Sequence, residues 1–249
     1  MRAPKSACLR LPKLAYFFAL FFIAPRTPAF VSAADDPLGA AVEAARKTHD
    51  EKELQSLKTQ LEQKMAESPN DAGLYLNLAR VQGYFADVYE VRKDKKAMAV
   101  AVDKAIDAVQ RSLQFNDKSA DAHSLLADLY GRKISLGNAM FAGPKFGPKI
   151  KEENAKAMAL DDKNPRVWAG LGRQYLMSPK MFGGDVAKAL ESFQKPLVLD
   201  SSQDETWVWL AKAFQKQGDN AKARDAAEHA LQLNPQSRFA KETAANIEK

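Results

Sequence analysis

The sequence predicts an all-α fold: a right-handed α-solenoid of antiparallel helix pairs with a C-terminal capping helix. Three observations carry this. Residues 204–235, "DETWVWLAKAFQKQGDNAKARDAAEHALQLNP", read as two amphipathic helices around a glycine turn, closed by Pro235. The same order of large and small residues recurs upstream, with insertions, from Ala72, Ala120 and Pro165. Small side chains return where the paired backbones must come close, and large ones fill the groove between them. A single pair cannot hide its apolar face, so successive pairs stack.

The first element is a leader. Arg2, Lys5, Arg10 and Lys13 precede the apolar run "LAYFFALFFIA" (Leu14 to Ala24), and Pro25, Pro28 and the small residues Val31-Ser32-Ala33-Ala34 follow. That order predicts a secretory signal peptide over residues 1–33, cleaved after Ala33 or Ala34. The apolar run is too short to span a bilayer comfortably, so no membrane span is expected after cleavage. The single cysteine, Cys8, precedes that run, whereas a lipid-attachment cysteine would follow it. A soluble periplasmic or secreted protein is therefore expected, with no lipid anchor and no disulfide.

Removing the leader changes the charge. Five of the 37 basic residues and none of the 31 acidic ones lie in it, which leaves 32 against 31. The net charge of +6 thus belongs mostly to targeting and does not argue for nucleic acid.

Residues 34–71 are expected to form an irregular helix pair, "DPLGAAVEAARKTH" followed by "DEKELQSLKTQLEQKMAESP". Asp50 and Glu53 are spaced as a capping box, and Leu54, Leu57, Leu61 and Met65 form an apolar stripe. Four repeats follow, over 72–119, 120–164, 165–203 and 204–235. Counting Asp204 as position 1, Trp207, Leu210, Ala211 and Phe214 take positions 4, 7, 8 and 11. Gly218 marks the turn, Ala223, Ala227 and Ala230 take positions 20, 24 and 27, and Pro235 takes 32. From Pro165, Trp168, Leu171, Gly172 and Tyr175 fill positions 4, 7, 8 and 11, and Ala189 and Phe193 fill 20 and 24 five residues late. From Ala120 come His123, Leu126, Ala127 and Tyr130, with Ala157 resuming after eleven extra residues. From Ala72 come Tyr75, Leu78 and Ala79, with Ala105, Val109 and Ser112 fourteen residues late, which predicts two extra turns in each helix. Residues 236–249 read as the capping helix.

Two glycine-containing stretches bear on whether this is an enzyme. "SPKMFGGDVAKALESF" (178–193) reads as a loop with glycines at positive-φ turns and Asp185 capping the next helix. "GPKFGPKI" (143–150) reads as a second loop. Neither has the Lys-Ser or Lys-Thr of a phosphate-cradling P-loop, and the prolines of the second remove amides such a cradle needs. His49, His123 and His229 have no partner at metal-ligand spacing, and no nucleophile elbow is present. His123 is expected to be buried packing, and Trp209 to pack on the preceding helix near Pro196. No catalytic residue, metal or cofactor is expected.

Binding has more support. The repeat order resembles tetratricopeptide repeats, in which positions 2, 5, 9, 12 and 13 of each first helix line the concave wall. Position 9 reads Arg80, Asp128, Arg173 and Lys212, and position 13 adds Arg132 and Lys216. Five basic groups and one acid predict a groove favouring an anionic or carboxylate-ended ligand, with Tyr84, Leu176 and Met177 as apolar lining.

These positions resemble the tetratricopeptide repeat (TPR) superfamily over most of the mature chain, most specifically from residue 120 onward. The stretch from "FGPKI" through "KAMALDDKNPRVWAGLGRQYLMSPKMFGGDVAKALESF" is also similar to exported bacterial repeat proteins, among them the periplasmic T component associated with TRAP-type transporters. That second resemblance implies a helical cup that holds a small ligand and works with a solute-binding protein. The absence of a lipid-anchor cysteine departs from some of its members. TPR domains that clamp chaperone tails carry lysine or asparagine at positions 5 and 9, where this chain has Leu76 and Arg80, Ser124 and Asp128, Ala169 and Arg173. That partner class is not expected. The resemblance implies an exported TPR-like scaffold that binds another protein or peptide in its groove. The alternative is a periplasmic binder of a small anionic ligand serving a transport system and its solute-binding subunit.

Overall fold

The computed structural model describes residues 36–247, so the expected leader lies outside the described residues. Eleven α-helices and no strand occur among them: α1 (Pro37–Thr48), α2 (Glu51–Glu67), α3 (Ala72–Val91), α4 (Lys95–Phe115), α5 (Ala120–Leu136), α6 (Ala139–Leu160), α7 (Pro165–Met177), α8 (Val186–Leu199), α9 (Asp204–Gln217), α10 (Asn220–Leu233) and α11 (Arg238–Ile247). Short polar residues start most of them. The side chains of Asp36, Asp50, Asp71, Asp94, Ser119, Asn138, Asn164, Asp185 and Asp219 each accept an amide hydrogen from the first turn that follows. The capping box at α2 forms by half. Asp50 accepts from the Glu53 amide at 2.9 Å, but the Glu53 carboxylate accepts from the Thr48 hydroxyl at 2.9 Å instead of closing the reciprocal bond.

The helices pack as α3 with α4, α5 with α6, α7 with α8 and α9 with α10, each pair leaning on the next, while α11 covers α9 and α10. The fold is an all-α solenoid of antiparallel pairs. The repeat's small positions explain how the pairs close. Ala79, Ala105, Ala127, Ala157, Ala189, Ala211 and Ala223 are all at most 1% exposed, so none faces water. Gly172 is buried beneath the Phe193 ring, where an added Cβ would lie 2.6–2.9 Å from three ring carbons. Phe193 is itself 0% exposed and has nowhere to move. Gly172→Leu is therefore expected to cost about 1–3 kcal/mol in a thermal or denaturant melt. Lys222→Leu, on an exposed first turn, should change little. Equal losses would mean that α7 and α8 do not meet at Gly172.

The first two pairs use longer helices than the last two: 20 and 21 residues in α3 and α4 and 17 and 22 in α5 and α6, against 13 and 14 in α7 and α8 and 14 and 14 in α9 and α10. The sequence reading of "GPKFGPKI" as a loop needs correction, because residues 143–150 lie inside α6 with Pro144 and Pro148 in the helix. Each proline is preceded by a glycine, whose missing Cβ removes the clash that drives a pre-proline residue out of the helical region. Phe146 and Ile150, one turn apart, then pack on α5, with the Phe146 ring stacked on Tyr130 at 5.5 Å. That packing holds a helix that local propensity would break.

Between α7 and α8 the chain makes a 3₁₀ turn over Lys180–Phe182. Gly183 sits at φ 91°, a left-handed conformation favouring glycine. Gly184 is required for a different reason: an added Cβ would overlap the Ser178 carbonyl. Asp185 then accepts from the amides of Ala187 and Lys188. These glycines shape a turn between two packed helices.

Candidate functional site

The first helix of each pair, α3, α5, α7 and α9, contributes to one inner face, and ion pairs run across that face from helix to helix. Arg80 on α3 reaches Asp121 on α5 at 2.7 Å, and Arg166 on α7 reaches the same carboxylate at 2.9 Å. Arg132 on α5 binds Asp87 on α3 at 2.6 Å. Arg173 on α7 pairs with Asp128 on α5 through two nitrogens, with Glu205 on α9 3.9 Å away.

Helix α1 lies across this face. Its Glu43 approaches Arg166 at 2.9 Å and Arg80 at 3.6 Å, and its Arg46 reaches Asp204 on α9 at 2.6 Å and Glu205 at 3.8 Å. Asp36 accepts from the Asn77 amide at 3.2 Å. At the other end His49, in the left-handed region at φ 49°, turns the chain back into α2 and places its ring 3.3 Å from Asp87. Val42 and Ala45 of α1 are fully buried. Tyr84 is covered by this arrangement, and burial together with Glu43 pushes its phenol pKa well up.

The electrostatics follow from the pairing. Burial raises the carboxyl pKa of Asp87, but Arg132 and His49 more than offset it and hold the group below the usual carboxylate range. Asp121 is held low in the same way by Arg166 and Arg80, and Asp204 by Arg46 and Asn234. Arg132 is raised by Asp87. Lys212 is the exception. Burial lowers it, and its ammonium sits over the rings of Phe239 at 4.4 Å and Trp209 at 5.2 Å.

The sequence-predicted groove residues are therefore brought together, but not as a basic patch. Arg80, Arg132 and Arg173 are paired with carboxylates, Asp128 serves Arg173, and the Lys216 ammonium donates to the Leu176 carbonyl. The expected excess of five basic groups over one acid is corrected by Glu43, Asp87, Asp121 and Glu205, which face them. The lining also differs: Leu176 is 3% exposed in the core, and Met177 is 67% exposed at the end of α7. Reading position 2 of each repeat, Gly73, Asp121, Arg166 and Glu205, would have found three members of the network. Nothing local points to Glu43 and Arg46.

The histidines play structural parts. His123 is 7% exposed, with Nδ1 on Glu153 and Nε2 3.0 Å from the Asp117 carbonyl oxygen. His229 lies against Trp207, ring centroids 4.3 Å apart. Trp209 packs between Phe193 of the preceding pair, at 6.4 Å, and Phe239 of α11, at 5.3 Å. Among the described residues no cluster of three His, Cys, Asp or Glu could hold a metal, and no helix is long and apolar enough to cross a membrane.

Stacked helical pairs around a charge-paired inner face define an all-α solenoid. Residues 204–237, which span α9, α10 and the turn after them, match the tetratricopeptide repeat model. The fold is similar to the crystal structure of a thermophilic TPR protein of Thermus thermophilus, at TM-score 0.63 and 15% identity, covering 85% of this chain and 98% of that one. A second similar structure is YrrB, described as a TPR protein with an unusual peptide-binding site, at TM-score 0.43 and 13% identity, covering 84% of this chain and 98% of that one. No curated protein sequence matches the chain.

Proposed function

We propose that this chain is an exported interaction scaffold that holds a helical segment of another polypeptide against its inner face. The observation that carries the proposal is α1 itself. The face already takes one amphipathic helix, anchored at Glu43 by Arg80 and Arg166 and at Arg46 by Asp204 and Glu205. A surface that seats a 12-residue helix by two opposite charges, one turn apart, suits a partner helix with the same acid-then-base order. Export rests on the leader pattern of residues 1–33. A small anion has less to bind, since each of the five cations already meets a carboxylate, a carbonyl or an aromatic ring. The resemblance of residues 146–193 to periplasmic T components makes the solute-binding subunit of a transport system a partner worth testing.

The test uses a labelled peptide spanning residues 36–49 and fluorescence anisotropy. Against a Glu43→Ala/Arg46→Ala chain, whose own helix is loosened, the peptide should bind at least about tenfold more tightly than against the unchanged chain. A peptide with the two charges exchanged should bind neither. Equal, weak signals from both chains would make α1 a fixed cap of the first pair and sink the proposal.

A further inference from the structure

The solenoid has two edges, formed by the turns at opposite ends of the helices. The C-terminal ends of α3, α5, α7 and α9 share one edge, because Arg132 bonds Asp87 near the ends of α5 and α3, and Lys216 bonds the Leu176 carbonyl near the ends of α9 and α7. The α3–α4, α5–α6 and α7–α8 turns therefore emerge together. Large apolar side chains stand in water on this edge: Met140 is 76% exposed, Phe141 75%, Met181 83% and Phe182 69%, with Met177 beside them. Repeat packing does not require them, since the fourth turn, around Gly218, carries no such group.

The same three turns are basic. The first holds Lys93, Lys95 and Lys96, the second leads into Lys145 and the third holds Lys180, all exposed. The acids on this edge are fewer: Glu90 at the end of α3 is exposed beside Lys93, Lys95 and Lys96, and three others are engaged. Asp94 and Asp185 cap α4 and α8 with their carboxylates on helix amides, and Glu51 is taken by Arg92 at 2.5 Å. The opposite edge has the reverse sign, with exposed Asp117, Asp161, Asp162 and Asp200 against Lys118 and Lys163. Charge is thus segregated by edge on a chain whose body is nearly neutral.

We infer that the α3–α4, α5–α6 and α7–α8 turns form a docking edge for an anionic phospholipid surface. The phenyl and thioether tips of Phe141, Phe182, Met140 and Met181 enter the headgroup–acyl boundary, where exposed apolar side chains lose their contact with water. The lysines beside them meet the negative surface potential, and the acidic edge points away from the bilayer. A protein partner would need a defined counter-surface. Separate apolar tips among exposed lysines suit a fluid, planar, negatively charged one. The apolar tips and lysines belong to the turns and first turns of the second helices, so this pose leaves α1 and its ion pairs on the inner face uncovered.

The test is vesicle co-sedimentation with the chain from Ala34 onward, the form left by the expected cleavage. Vesicles of phosphatidylcholine containing about 30% phosphatidylglycerol should pellet at least roughly fivefold more protein than phosphatidylcholine alone, and high salt should reduce the difference. Phe141→Ser/Phe182→Ser and, separately, Lys145→Glu/Lys180→Glu should each reduce binding several-fold, roughly to the neutral-vesicle level, without moving the melting temperature. All four residues are exposed and outside the inner face, so the peptide experiment on Glu43 and Arg46 is unaffected by this outcome. No binding to anionic vesicles overturns the inference and leaves a protein as the occupant of the edge. Undiminished binding by the serine variant overturns it too, reducing the effect to diffuse charge.

Discussion

Phe193→Ala is expected to destabilise the chain by about 3–5 kcal/mol, the range for removing a fully buried aromatic ring. For a body of this size that lowers the melting temperature by roughly 6–20 °C. The ring joins three helices: it belongs to α8, covers Gly172 of α7 and stacks on Trp209 of α9. Its loss leaves a cavity that Gly172, having no side chain, cannot fill. Because stacked repeats are stabilised mainly by their nearest neighbours, the damage should be local. Hydrogen exchange should accelerate in α7 to α11 and stay slow in α3 and α4. Uniform acceleration along the chain would contradict this picture of the packing.

Asp204→Ala should have the second large effect, about 3 kcal/mol, at the low end of the range for breaking a buried ion pair. The Asp204 side chain is 4% exposed, bound to Arg46 at 2.6 Å and to the Asn234 amide at 2.9 Å. Removing it strands both partners, although Arg46 is 23% exposed and keeps Glu205 at 3.8 Å, which limits the loss. The readout is exchange at residues 37–48, which should become fast as α1 detaches, together with a lower melting temperature. The pH dependence adds a check. A carboxyl whose folded pKa lies below its unfolded value contributes stability above the unfolded value, and that contribution is lost as pH falls through the folded one. Asp204, Asp87 and Asp121 all have this sign. The unchanged chain should therefore lose stability more steeply below about pH 4 than Asp204→Ala does. Parallel curves would mean the carboxylate is not held low.

Contacts between neighbours were legible in the sequence, and contacts across the array were not. Gly172, Tyr175, Ala189 and Phe193 sit where α7 meets α8, because a repeat spells out which positions are small and which are large. Ala105 and Val109 likewise sit against α3 in the first pair. The same logic failed at Pro144 and Pro148, where tertiary packing by Phe146 and Ile150 overrides the local preference. It also failed at the site. Arg80 and Asp121 are 41 residues apart, and Arg46 and Asp204 are 158 apart, so no local period connects them. Counting cations at two positions of each helix found the right face. It missed the charge balance, because the matching acids sit at position 2 (Asp121, Glu205), late in α3 (Asp87) and on a helix that precedes the repeats (Glu43).

The Arg46–Asp204 bond also bears on how the molecule assembles. Made from its N-terminus, the chain completes α1 long before α9 exists, so this helix must wait for the last repeat before its anchor is finished. An array whose units otherwise answer only to adjacent ones thereby acquires a hoop joining its beginning to its end, and fraying at either terminus is felt at the other.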